Sequence, residues 1–172
     1  MSEDEVLGEG RFLRLVRRDG WERADRIGVR DIVVLVAVTP DGELLLVEQH
    51  RPAVGARVLE LPAGLVGDAA EHRDEPIEAA ARRELREETG WHASRFERLT
   101  AGPPTSGLSS EVVTLLRARE LRREGDGGGV GEERIVVHAV PLAQVPTWLR
   151  EREREGILVD PKVWAGLWFA ER

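Results

Sequence analysis

One run of seventeen residues constrains this chain more than any other: Glu75-x7-Arg83-Glu84-Leu85-x-Glu87-Glu88-x-Gly90-Trp91. On a helix, Glu84, Glu87 and Glu88 stand at i, i+3 and i+4 and share one face. Ile77, Ala81 and Leu85 make an apolar stripe beside them. Pro76 suits a first turn and Gly90 a left-handed stop, so the spacing predicts a helix over about 76–89. Three carboxylates on one face repel one another. Two of them also fall in the last turn, where each anion opposes the macrodipole by about 0.3–1 kcal/mol. Folding does not ask for that arrangement. A divalent cation resolves it, and an all-oxygen donor set suits Mg²⁺ or Mn²⁺. Arg82, Arg83 and Arg86 carry the alternative, in which the acids are solvated ion pairs on an ordinary Glu/Arg helix.

Composition removes several other chemistries. The 172 residues carry a net charge of −7, which disfavours a nucleic-acid backbone as partner. With no cysteine there is no disulfide, thiolate zinc site or cysteine nucleophile. The opening Met-Ser-Glu-Asp-Glu lacks an apolar run, so no signal peptide is expected. No stretch reaches 18 apolar residues, so no membrane span is expected either, and the expected location is cytoplasmic. Arginine outnumbers lysine 24 to 1, from which no function follows.

The rest of the chain predicts an α/β domain. Residues 11–17 alternate, Asp19-Gly20 signals a type I′ turn and Trp21 opens a second strand, giving an N-terminal antiparallel hairpin. Ile32–Val38 is a continuous apolar run and reads as a buried strand. Pro40-Asp41-Gly42 turns the chain and Leu44–Glu48 returns it. Further strands are expected at Val58–Leu61, Val112–Leu116 and Ile135–Val140. Glu124–Gly131 is glycine-rich and reads as a mobile loop. Helices are expected at about 142–154 and, after Asp160-Pro161, to about 171, with Trp164 and Trp168 in the core. Strands and helices interleave without βαβ spacing, so a mixed sheet with helices on both faces is expected.

The run at 75–91 resembles the signature of the Nudix hydrolase family, G-x5-E-x7-R-E-U-x-E-E-x-G-U with U a bulky apolar residue. From Glu75 to Trp91 every position matches. Upstream, ten residues rather than five separate Gly64 from Glu75, and Ala69 stands where a strictly spaced glycine would be. Leu61-Pro62-Ala63-Gly64 is the better anchor, with a five-residue insertion inside Leu65–Asp74. The resemblance implies an α/β/α sandwich with a mixed sheet over residues 31–172. Residues 1–30 are then an N-terminal hairpin extension that serves dimerisation. It also implies Mg²⁺-dependent hydrolysis of a pyrophosphate bond, with Mn²⁺ as an alternative metal. Glu84 and Glu88 are the first metal ligands it points to, then Glu87 and the Ala63 carbonyl. Arg83 orients the glutamates, Glu75 stabilises the loop–helix–loop, and Gly64 lets the backbone turn beside the metal.

Within the family the chain most resembles the ADP-ribose pyrophosphatases. Gln49-His50-Arg51-Pro52-Ala53-Val54-Gly55 leading into Glu60-Leu61-Pro62-Ala63-Gly64 is similar to that branch, as is the hairpin. Thr105-Ser106-Gly107-Leu108-Ser109-Ser110-Glu111 is similar to its Ser-Pro-Gly-x-Ser-Asp-Glu, although the prolines here stand at 103 and 104. The resemblance implies that Arg51 binds the diphosphate or adjoining ribose and that Glu60 contacts hydroxyls or the nucleobase. For the general base it points first to Glu133, then to Glu132, with Glu111 a further candidate. Phe12, Trp21 and Arg26 are candidates for stacking on an adenine. The implied substrate is ADP-ribose or another nucleoside diphosphate sugar, in a homodimer. Two alternatives stay open: a Nudix hydrolase for another diphosphate, such as a GDP-sugar, dinucleoside polyphosphate or damaged nucleotide, and a non-catalytic ADP-ribose sensor. The Gly127–Gly129 run lacks the Lys-Ser/Thr of a phosphate loop, the four histidines lack metal spacing, and no Gly-x-Ser-x-Gly elbow occurs.

Overall fold

The apolar run after Asp31 becomes the strand on which the rest is laid. The computed structural model describes residues 3–67, 72–131 and 133–171. In it the run forms β4 (Asp31–Ala37), with Val33 to Ala37 fully buried. Val33, Leu35 and Ala37 enter one apolar cluster with Ala80, Ala81 and Leu85 of α1 (Ile77–Thr89). Val34 and Val36 enter a second cluster with Val145 and Leu149 of α2 (Val145–Arg154) and Val163 and Leu167 of α3 (Pro161–Ala170). A strand covered on both faces reads as continuous apolar sequence rather than alternation. Helices therefore lie on both faces, as the sequence predicts.

The expected mixed strand pairing is present and is divided between two four-stranded sheets. β7 (Ala63–Val66), β8 (Trp91–Gly102) and β9 (Val113–Arg123) join β4 in the order β7–β4–β9–β8. β4 runs antiparallel to β7 and parallel to β9. β5 (Glu43–Arg51), β6 (Ala56–Glu60), β10 (Val136–Pro141) and β11 (Leu158–Val159) form the second sheet, ordered β10–β5–β6–β11. Its one parallel pair is β6–β11. The second apolar cluster draws Leu44, Leu46 and Leu59 from this sheet and Val113 and Leu115 from the first, and so fills the space between them.

The N-terminal hairpin gains a strand. β2 (Leu13–Arg18) and β3 (Trp21–Arg26) are joined by Asp19 and Gly20 at φ 53° and 81°, the type I′ signature. β1 (Glu5–Glu9) pairs with β2, and Asp4 ahead of it is clasped by Arg18 and Arg23 at 2.6 and 2.7 Å. This small sheet docks on the segment after β8. The Ala24 amide donates to the Leu108 carbonyl at 2.8 Å, and the Ser110 hydroxyl to Asp25 at 2.6 Å.

Two expectations for the helices are corrected. Trp164 and Trp168 are not core; they are 36% and 52% exposed. The inward seam of α3 is Val163, Gly166 and Leu167, because Leu61 packs where a side chain at Gly166 would stand, 2.5 Å from its Cβ position. Pro76 is the N-cap of α1, with extended ψ of 149°, rather than a residue of its first turn. Residues 142–144 form a 3₁₀ turn leading into α2. Among the described residues no helix is long and apolar enough to cross a membrane.

Candidate active site

The site is assembled where α1 lies against β7. Leu85 is buried to the core, and Glu88 is drawn down with it to 6% exposure. Its Oε2 accepts the Ala63 amide at 3.0 Å, which ties the helix to the strand. Gly64 comes so close to α1 that a Cβ there would lie 2.0 Å from the Glu84 carboxyl carbon. Only a glycine lets strand and carboxylate share that space. Arg83 gathers the remaining acids. It donates to Glu84 at 2.6 Å, to Glu75 at 2.9 Å, to the Leu65 carbonyl at 3.3 Å and, more weakly, to Glu87 at 3.4 Å. Burial works against its charge, but the bonds and charges of Glu75 and Glu84 outweigh it and raise the guanidinium pKa.

A cleft of about 470 Å³ opens beside these groups. Glu84, Glu88, Ala63 and Gly64 line one side. Gln49 and Arg51 of β5 and Glu60 of β6 line another, with the Arg51 Nε donating to Glu60 at 2.7 Å and Gln49 to the same oxygen at 3.3 Å. Arg26 and Glu111, paired at 2.8 Å, close the side toward the N-terminal sheet. Glu133 also reaches the cleft, with its Oε2 accepting the Val130 amide at 2.8 Å. The structure thus brings together Ala63, Gly64, Glu84, Glu88, Arg51, Glu60, Glu111, Glu133 and Arg26.

Other expected residues fall elsewhere. Glu87 and Arg83 stand beside the cleft rather than in its lining, facing each other. Trp21 pairs with Arg18 at the turn end of the hairpin, 64% exposed and outside the lining of this cleft. Five extended residues separate it from Arg26, a distance of about 17 Å. Glu132 and Ala69 lie outside the described residues. Lys162, at the start of α3, lines the cleft and carries no sequence motif that would single it out.

The glycine-rich segment expected to be a mobile loop is bound to α1. Gly128 and Gly129 donate to the carbonyls of Glu88 and Glu87 at 2.9 and 3.0 Å, and Glu124 and Gly125 donate to that of Gly90 at 2.8 and 3.0 Å. The carbonyls of a helix's last turn lack partners within the helix, and this segment supplies them. Gly127 has φ 70°, and a Cβ there would lie 2.4 Å from the Thr89 carbonyl carbon. The same segment leads directly to Glu133, so the glutamate face and Glu133 share one backbone scaffold.

The donor chemistry suits a hard divalent cation. Among the described residues no three acidic or imidazole groups yet converge on one point, because Arg83 holds Glu84 and Glu87 and the Ala63 amide holds Glu88. Burial pushes the Glu88 carboxyl up to about 8; the Glu84 and Glu133 charges add to this, against the Ala63 amide and Arg51. A carboxyl kept neutral by burial, with neighbouring carboxylates adding to the shift, is a site short of positive charge.

The comparisons agree with this geometry. Residues 29–158 match the NUDIX domain. An ADP-ribose pyrophosphatase of Bacillus subtilis (strain 168) is 37% identical over 89 residues, 52% of this chain and 45% of that protein. One of Mycobacterium tuberculosis is 40% identical over 93 residues, 54% and 43% of the two chains. This chain therefore spans about half the length of these bacterial relatives or slightly less. An ADP-sugar pyrophosphatase of Mus musculus is 34% identical over 164 residues, 89% of this chain and 69% of its own. A crystal structure of an ADP compounds hydrolase matches the fold with a TM-score of 0.66 at 21% identity, covering 86% of this chain and 80% of that one. The family match covers well over half of the sequence, and the glutamate face, the close Gly64 and the sandwich up to the start of β11 lie within it: the chain belongs to the Nudix family.

Proposed function

We propose that this chain hydrolyses the pyrophosphate bond of ADP-ribose, or of a related nucleoside diphosphate sugar, to AMP and a sugar phosphate. The observation that carries the reading is the single cleft in which Glu84, Glu88 and Glu133 face Arg26 and Arg51. Carboxylates alone would repel a diphosphate; guanidinium forks on the same wall supply its attraction. The ADP-ribose and ADP-sugar pyrophosphatases among the relatives point to the same substrate class.

Glu84, Glu88, Glu87 and the Ala63 carbonyl are the groups that would hold Mg²⁺, or Mn²⁺ in its place. When bound, the metal neutralises phosphoryl oxygens and acidifies coordinated water. Arg83 supports this set by keeping Glu84 and Glu87 turned toward one another. Arg51 binds the diphosphate, and Glu60 fixes its guanidinium through Nε. Arg26, braced by Glu111, and Glu60 meet the nucleoside and sugar hydroxyls. Glu133 is the group placed to take the proton from the attacking water as the new P–O bond forms and the bridging P–O bond breaks. To do so its carboxylate exchanges the Val130 amide for the water. The N-terminal extension, residues 1–30, is the dimerisation element, and Phe12 and Trp21 are exposed on it.

The test is incubation with ADP-ribose, with and without Mg²⁺ or Mn²⁺, reading AMP by chromatography. Metal-dependent AMP, formed faster than products from GDP-mannose or diadenosine polyphosphates, is the expected result. Cleavage of another diphosphate alone would move the substrate, and silence across the panel with tight ADP-ribose binding would replace the enzyme with a sensor.

A further inference from the structure

The chain has one lysine, and it lies in the catalytic cleft. We propose that Lys162 is a substrate-binding residue whose ammonium takes an anionic oxygen of the diphosphate, on the same wall of the cleft as Arg51. This rests on the reading of the cleft as a pyrophosphatase site.

The support of the lysine is unusually firm for a surface side chain. Asp160 caps α3 by accepting the Lys162 amide at 2.7 Å, while its own amide donates to the Leu59 carbonyl at 2.9 Å. Its second carboxylate oxygen accepts the Lys162 ammonium at 2.5 Å. The ammonium is thus held by a carboxylate that is itself fixed to β6. It has three donors and gives one to Asp160, so two remain to be directed into the cleft. The side chain is only 34% exposed.

Its neighbours fix the kind of ligand. β11 pairs with β6 in parallel, Val159 beside Leu59, so Asp160 follows alongside Glu60. Glu60 in turn bridges to Arg51 on β5. Arg51 pairs with Ala56, four residues down β6 from Glu60, so Arg51 and Asp160 stand two strands apart on one wall with about 16 Å between their backbones, and Glu60 lies between Arg51 and Lys162. Long side chains from those positions can close on a linkage of two phosphoryl groups. The ammonium itself is better matched to an anionic oxygen than to a hydroxyl. The cleft lining holds five carboxylates, Glu60, Glu84, Glu88, Glu111 and Glu133, and only three cations, Arg26, Arg51 and Lys162. Arg26 and Arg51 already give an Nε–H to a carboxylate of that lining. A sugar hydroxyl can be met by the carboxylates, whereas a phosphoryl oxygen needs a cation, and a lysine supplies one as a point charge.

Two readouts test the assignment on the full chain. In the first, wild-type protein is acetylated with an amine-reactive ester, and modification of Lys162 is followed by peptide mass, with the α-amino group as internal reference. A non-hydrolysable α,β-methylene analogue of ADP-ribose, with Mg²⁺ present, is expected to slow acetylation of Lys162 and leave the reference rate unchanged. In the second, Lys162→Met is expected to raise KM for ADP-ribose by about tenfold with kcat changed far less, and Lys162→Arg to recover most of the loss. A merely structural lysine would lower stability in both variants without separating KM from kcat. Wild type that binds the analogue while Lys162 acetylates at its free rate, or Lys162→Met with unchanged KM, overturns the role of Lys162 and leaves the pyrophosphatase reading standing. Wild type that neither binds the analogue nor cleaves any diphosphate overturns both.

Discussion

Glu88 combines two demands that oppose each other. Its place behind Leu85 and against Ala63 fixes the carboxylate where the proposed cation would need it, and the same burial makes its charge costly in the metal-free protein. The sign of the resulting pH dependence follows from the raised pKa. Between the ordinary carboxylate range and about 8 the native metal-free protein keeps a proton that the unfolded chain has released. Its stability contribution is then fully present at low pH and is lost as pH rises through the native pKa. We expect the melting temperature of EDTA-treated protein to fall from about pH 5 to about pH 9, and added Mg²⁺ to restore it most at the alkaline end. Glu88→Gln keeps the hydrogen-bonding shape without the charge. It is expected to flatten the metal-free profile and to abolish turnover while the protein stays folded. A wild-type profile that rises with pH, or a variant with full activity, would remove Glu88 from the centre of the site.

At the scale of elements, the clasp between the glycine-rich segment and the end of α1 is the least replaceable contact. It occupies the carbonyls of Glu87, Glu88 and Gly90, and it does so only because Gly127 has no side chain to meet Thr89. Gly127→Ala is expected to cost roughly 1–3 kcal/mol in urea denaturation. It is also expected to lower kcat by shifting Glu133. Gly107→Ala, in a position with open space and ordinary φ, is the control expected to change neither. The same elements mark what sequence alone reveals. The helix over Ile77–Thr89 and its glycine stop are legible because their determinants are local: a stripe of Ile77, Ala81 and Leu85, a shared glutamate face, and Gly90 at φ 75°. β8 is not legible, because its buried Ala93 and Phe96 are three apart. A register shift near Leu99 and Glu120 at φ 57° on its partner break the alternation that marks a strand. β7 is only four residues long and is defined by its pairing with β4. In the site, the α1 acids could be read from spacing and Gly64 from the Leu61-Pro62-Ala63-Gly64 segment despite its departure from the strict spacing, whereas the Arg26–Glu111 pair and Lys162 reach the cleft through contacts across 85 and about 100 residues of chain, which no local pattern encodes.

For the whole molecule, the unresolved debt of apolar surface lies at the N-terminal sheet. The two helical faces and the space between the four-stranded sheets are filled by the two large clusters. On the small sheet, by contrast, Val6, Phe12, Leu13, Leu15 and Trp21 are each between 43% and 64% exposed. Leu13 and Leu15 stand on one side of β2, where Ala24 opposite Leu15 adds no bulk to cover them, while Val6 and Trp21, paired with Val16 and Arg18, stand on the other, so both faces of the small sheet carry exposed apolar side chains. Apolar residues gathered on one small sheet differ from the scattered exposed leucines of an ordinary surface, and a second copy of the chain is the cover we predict for them. The same sheet holds Arg26 in the cleft through the docking of Ala24 on Leu108, so a second copy seated there would brace the substrate end of each site. The prediction is a dimer whose disruption weakens substrate binding before it weakens folding. Light scattering coupled to size exclusion is expected to give the mass of two chains for the wild type. The double variant Phe12→Ser, Trp21→Ser is expected to give that of one, near 19.2 kDa. Because Trp21 and Phe12 touch neither apolar cluster, the monomer should keep a cooperative thermal transition while KM rises more than kcat falls. A wild type that runs as a single chain at high micromolar concentration, or a monomeric variant with unaltered KM, would separate this surface from both assembly and catalysis.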